Sequence, residues 1–70
     1  MNRIKEVLED KGIKQTWLAE KLGKSYPTIN GYVQNKTQPK LEVLYEIASL
    51  LDLDVKELLV SKTTKSKNKF

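Results

Sequence analysis

The segment from Lys24 to Lys36 reads KSYPTINGYVQNK. Between Tyr26 and Gln34 it holds no charged residue, in a chain that is 31% charged. Its polar side chains are Thr28, Asn30 and Gln34, a hydroxyl and two amides that donate and accept hydrogen bonds without ionising. Lys24 and Lys36 stand just outside. An ordinary exposed surface carries Lys and Glu, and a buried one does not carry Thr, Asn and Gln. The pattern suits close docking onto a polar surface with a negative rim. The major groove of DNA has that character, with base edges between phosphate walls. Asn30 and Gln34 can pair bidentately with adenine, and Thr28 can touch a thymine methyl. Without Arg or Lys on this face, direct contacts are expected to favour A·T pairs, although Lys24 or Lys36 could still reach a guanine.

Other chemistries have little to work with. The 70 residues include no cysteine and no histidine. Disulfides, thiolate metal sites and cysteine nucleophiles are excluded, along with the commonest general base and metal ligand. Asp52 and Asp54 have a complete structural explanation as turn and cap, and no nucleophile–base pair is visible. No enzyme activity, cofactor, metal or small-molecule ligand is therefore expected. No apolar run approaches a membrane span, and residues 1–15 do not form a signal peptide. The chain reads as soluble and cytoplasmic, nucleoid-associated when bound to DNA.

The net charge is +4 and uneven. Residues 11–40 carry six lysines against Glu20, whereas residues 41–60 carry five acids against Lys56. A basic middle suits a polyanionic partner; an ordinary solvated surface is the plainer account.

Helical spacing accounts for most of the chain. Ile4, Val7 and Leu8 give helix one over 3–11, with Asn2 as N-cap and Gly12 as stop. Leu18, Ala19 and Leu22 give helix two over 15–22, ended by Gly23. Trp17 lies off that stripe, so it either folds over a neighbouring loop or meets a partner. Ile29, Tyr32 and Val33 give helix three, with Ser25 as N-cap and Asn35 as a left-handed stop. Its start falls at Tyr26 or at Pro27, because a proline is admissible in the first turn but disfavours helical dihedrals just before it. On that wheel Pro27, Gly31 and Gln34 point outward. Gly31 either permits close backbone approach or is a tolerated surface glycine. Leu41, Leu44, Ile47, Ala48 and Leu51 give helix four. Asp54 and Glu57 form a capping box for helix five, with Leu53 and Leu58 at the staple positions. Residues 61–70 are lysine-rich and nearly without apolar side chains. They are expected to form a disordered basic tail beside one domain over residues 1–60.

QTWLAEKLGKSYPTINGYVQNKTQP followed by LEVLYEIASLLDLDVKELL resembles the lambda-repressor-like helix-turn-helix family of phage repressors and Cro proteins. Gln15, Leu18-Ala19, Gly23, Ser25, Ile29, Tyr32, Pro39, Leu44, Ile47-Ala48, Leu51 and Leu58 carry the likeness. The resemblance implies an all-α, compact five-helix domain in which helices two and three form the helix-turn-helix. It implies base contacts from Tyr26, Pro27, Thr28, Asn30, Gly31 and Gln34. Phosphate contacts would come from Lys14, Gln15, Lys24, Ser25, Lys36 and Lys40. A bacterial or phage transcriptional regulator follows. Most simply it is a repressor binding a near-palindromic operator on double-stranded DNA as a homodimer, with Leu50, Leu53, Val55, Leu59 and Val60 as candidates for the dimer surface. The same fold could instead serve as a protein-interaction module of antitoxin-like kind.

Four positions depart from the family pattern. Lys14 and Lys40 stand where a small polar cap usually precedes helices two and four. They are either phosphate clamps or solvated lysines at loosely capped ends. Val33 replaces a common acidic residue, and Asn35 replaces a frequent glycine, so the loop Asn35–Gln38 is expected to take a different path.

Overall fold

The structure, a computed structural model, describes residues 2–59. Val60 and the lysine-rich segment 61–70 lie outside the described residues. Within them the chain forms α1 (Ile4–Lys11), α2 (Gln15–Leu22), α3 (Tyr26–Val33) and α4 (Leu41–Leu51), followed by a 3₁₀ turn (Val55–Leu58). The expected fifth helix is thus a single tight turn. Its capping box is present: Asp54 accepts from the Lys56 N–H at 3.0 Å while its own N–H donates to Glu57.

Each element contributes to one interior. Ile4, Leu18, Ile29, Ile47 and Leu58 are the largest fully buried side chains, one from each element in turn. Burial of such a side chain stabilises by roughly 1.5–3 kcal/mol. Leu8 and Val33 belong to the same core. This accounts for the missing acid at position 33, because a carboxylate among these apolar neighbours would need a partner. Leu41 departs from its expected place in the core stripe of α4. It is 61% exposed, and Tyr45, one turn on, is 56% exposed.

The helices stop by one repeated device. Gly12 and Gly23 adopt left-handed backbone at φ 69° and 67°. The residue after each donates its N–H to a carbonyl five positions back, Ile13 to Leu8 and Lys24 to Ala19. Such a closure satisfies carbonyls that the helix end leaves open. α4 ends the same way, with Leu53 donating to Ala48, but the left-handed residue is Asp52 at φ 58°.

The chain start is tied down by a buried amide. Asn2, 5% exposed, donates from Nδ2 to the Tyr32 carbonyl at 2.9 Å and to Gln38 Oε1 at 3.0 Å. Its Oδ1 accepts from the Ile4 N–H, and its backbone N–H and carbonyl pair with the Asn35 side chain. The N-cap position of α1 is Arg3, without a side-chain cap bond. Asn2 therefore caps from one place earlier and also bolts α1 to the α3–α4 loop. Arg3 donates its N–H to the Leu58 carbonyl at 2.7 Å, joining the two ends of the described chain.

Candidate nucleic-acid interface

α2 and α3 are joined by the three residues Gly23 to Ser25. Gly23 supplies the left-handed turn, and Ser25 then caps α3 by accepting from the Thr28 N–H at 3.3 Å. The helix begins at Tyr26, so Pro27 occupies its second position, where an N–H would have no intrahelical partner. The Ser25 hydroxyl also lies 2.9 Å from that of Thr28.

The side chains of α3 divide by face. Ile29 and Val33 are buried; Tyr26, Pro27 and Gln34 are exposed; Thr28, Asn30 and Tyr32 are half-buried. Asn30 Nδ2 donates to Oε1 of Gln15, the first residue of α2, at 3.0 Å. This pairing of a candidate base-contacting residue with a candidate phosphate-contacting residue has no local sequence signal, since 15 positions separate the two.

Gly31 is not a free outward position. Its carbonyl accepts from the Lys36 N–H at 2.9 Å and from the Thr37 N–H at 3.3 Å. A Cβ built on it would meet Thr37 Oγ1 at 3.1 Å. The close approach that a glycine permits here is made by the chain's own α3–α4 loop. Asn35, in left-handed backbone at φ 61°, turns that loop.

Beside this loop lies an open hollow of about 830 Å³. Pro27, Thr28 and Gly31 line it together with Lys24, Lys36 and Lys40, and Glu42 is the only acid among the lining residues. Lys14 and Lys40 occupy the N-cap positions of α2 and α4 in extended backbone, and neither side chain caps. The first amides of both helices are left without a side-chain acceptor, and a cation stands beside each. Helix N-termini attract anions, and an adjacent ammonium reinforces that attraction.

Trp17 is the third residue of α2. It lines a shallow hollow with Gly12 and Ile13, and the Lys21 ammonium sits 5.8 Å from its ring centroid. It remains 37% exposed. Among the described residues no helix is long and apolar enough to cross a membrane.

A family model described as helix-turn-helix matches residues 4–58. No curated protein matches the chain significantly. Among solved structures, a crystal structure of a Bacteroides fragilis protein to which DNA binding is ascribed superposes with a TM-score of 0.82. The two chains are 46% identical over 83% of this chain and 94% of the other.

Proposed function

The chain belongs to the helix-turn-helix family of lambda-repressor/Cro type, and from that premise we propose that it is a sequence-specific DNA-binding regulator of transcription. The observation that carries this reading is the α3 surface. It is uncharged, rich in hydrogen-bonding groups, and bordered by lysines at the N-caps of two neighbouring helices. α3 enters the major groove. Tyr26, Pro27, Thr28, Asn30 and Gln34 form the base-facing set, and Gly31, whose carbonyl holds the α3–α4 loop, supports that loop rather than a base contact. Lys14, Gln15, Lys24, Ser25, Lys36 and Lys40 hold the phosphates on either side. One such helix reads only a few base pairs, so a homodimer on a near-palindromic operator supplies the remaining specificity. Repression follows if that operator overlaps a promoter.

Selection of bound sites from random duplex DNA tests the proposal. Two-fold symmetric sites with A·T-weighted half-sites are expected. Failure to enrich any sequence would sink the regulator reading; half-sites fixed mainly by G·C pairs would sink the assignment of base readers.

A second reading, a protein-docking module, draws on exposed Trp17, Leu41 and Tyr45. Asn30→Ala abolishing partner binding while Trp17→Ala leaves it intact favours DNA; the reverse favours a protein partner.

A further inference from the structure

The four asparagines of the chain are followed by Arg3, Gly31, Lys36 and Lys69. Only Asn30 precedes a residue without a side chain, so only there is the next backbone nitrogen unshielded toward the asparagine's own amide carbon. When the two meet, the Gly31 nitrogen gives up its proton to water and bonds to Asn30 Cγ. The Cγ–Nδ2 bond breaks and the nitrogen leaves as ammonia, closing a five-membered imide. Water then opens the ring at either carbonyl. One opening leaves aspartate at position 30; the other leaves isoaspartate, with the chain rerouted through the side-chain carbon. The sum is one water consumed and one ammonia released, with no oxidant or reductant.

The fold holds this reaction off. The Gly31 nitrogen belongs to the same peptide unit as the Asn30 carbonyl, which accepts from the Gln34 N–H at 2.9 Å. Turning that nitrogen toward Cγ rotates the whole unit out of helical dihedrals and breaks the bond. Ile29, fully buried, and Val33, 3% exposed, pin α3 to the core on either side. The leaving nitrogen, Nδ2, is itself tied to α2. All these restraints vanish together when α3 leaves the core. We propose that Asn30-Gly31 is a self-modification site gated by the fold, reacting when α3 opens and yielding a product that disables the DNA-reading face. That product puts a negative charge into the stretch from Tyr26 to Gln34, which has none. A carboxylate only accepts hydrogen bonds, whereas the lost amide also donates. Isoaspartate further adds a methylene to the backbone and throws the helix out of register. DNA stabilises the closed form by mass action, so bound molecules are spared and unbound ones expire. The consequence for binding rests on the DNA-reading function proposed above; the reaction itself does not.

The test incubates the full chain at physiological temperature and neutral pH, folded in buffer or unfolded in guanidinium chloride. Trypsin releases residues 25–36, and mass spectrometry with fragmentation locates conversion at Asn30. Wild type should convert roughly a hundredfold or more faster unfolded than folded, since only the small open fraction reacts in buffer. Gly31→Ala should all but abolish conversion of the unfolded chain over the same interval. Asn2→Ala, which loosens the fold away from the site, should leave the unfolded rate unchanged and raise the rate in buffer by roughly fivefold or more. Should it unfold outright, its rate in buffer should equal its rate in denaturant. Equal wild-type rates in the two states would show that the fold does not gate the site. An unfolded chain that stays unconverted, or Gly31→Ala converting as fast as wild type, would remove the site altogether. Asn30→Asp stands in for the product and should bind a selected operator roughly tenfold or more weakly, the loss of a bidentate base contact. Wild-type affinity in that variant would overturn the disabling step. If no DNA is bound by any form, the proposed function falls and the disabling step with it, while the conversion rates still decide the site.

Discussion

Replacing Lys14 and Lys40 together by serine should make the protein more stable and a weaker DNA binder. The backbone at both positions is already that of a working cap. Lys14 has φ −86° and ψ 149°, Lys40 has φ −69° and ψ 159°, and Ser25, which does cap, has φ −74° and ψ 156°. A serine hydroxyl placed there should accept from a first-turn amide that now lacks a side-chain partner. Each new cap is worth about 1 kcal/mol, the usual difference between a serine and a residue that cannot cap. Removing a cation from the positive end of each helix adds an increment of the same sign. Together the two substitutions should contribute about 2 kcal/mol, which raises the melting temperature of a domain this size by roughly 10 °C. Binding moves the other way. Each lysine that neutralises a phosphate contributes about 0.9 to the slope of log affinity against log salt. Two per protomer, doubled over the proposed dimer, come to about 3.6, so a fourfold rise in salt should cost the variant about a hundredfold less affinity than the wild type. Thermal melts followed by circular dichroism read the first effect, and fluorescence anisotropy titrations at several salt concentrations read the second. A higher melting temperature with an unchanged salt slope would show that the lysines are idle surface charges. A lower melting temperature would refute the capping geometry itself.

Other perturbations isolate single features. Asp52→Gly should stabilise by about 1 kcal/mol, seen as a higher urea midpoint at constant slope. It relieves a left-handed non-glycine residue and removes a negative charge from the negative end of α4. Asn2→Ala should destabilise by roughly 1–3 kcal/mol in chemical denaturation, since it leaves the Ile4 N–H without its acceptor and takes one of two donors from the Tyr32 carbonyl. It should also speed amide exchange at Lys36 and Thr37, whose loop it anchors. Gly31→Ala should gain less than the roughly 1 kcal/mol that alanine earns in a helix interior, because its Cβ crowds Thr37 Oγ1. Adding Thr37→Ala should release the remainder, and strict additivity of the two changes would argue against that contact.

The helices were legible because their signals are local. Apolar residues at 3.6-residue spacing fall on one face, and Gly12, Gly23 and Asn35 mark turns by tolerating left-handed backbone. Ser25 and Asp54 announce caps by side-chain type. What escaped the sequence depends on chain segments that meet only after folding. Asn2 looks like an ordinary cap, and its burial becomes tolerable because the Tyr32 carbonyl and Gln38, 30 and 36 residues away, accept from its side-chain amide. Gly31 falls on the outward side of the helical wheel, yet the α3–α4 loop folds back over it. Leu41 fits the apolar period of α4 but stands in its first turn, where the core does not reach. The tie between Gln15 and Asn30 likewise needs the angle between two helices, which no spacing rule supplies.

Because every element gives side chains to the same interior, no part of the domain keeps a core when another is removed. The α2–α3 pair grafted alone onto another protein should therefore unravel, and opening of the chain should be all-or-none. Pro27, Thr28 and Gln34 contribute nothing to that interior. The domain thus behaves as an indivisible chassis with an interchangeable lettering, whose outward α3 residues can be rewritten without renegotiating the fold.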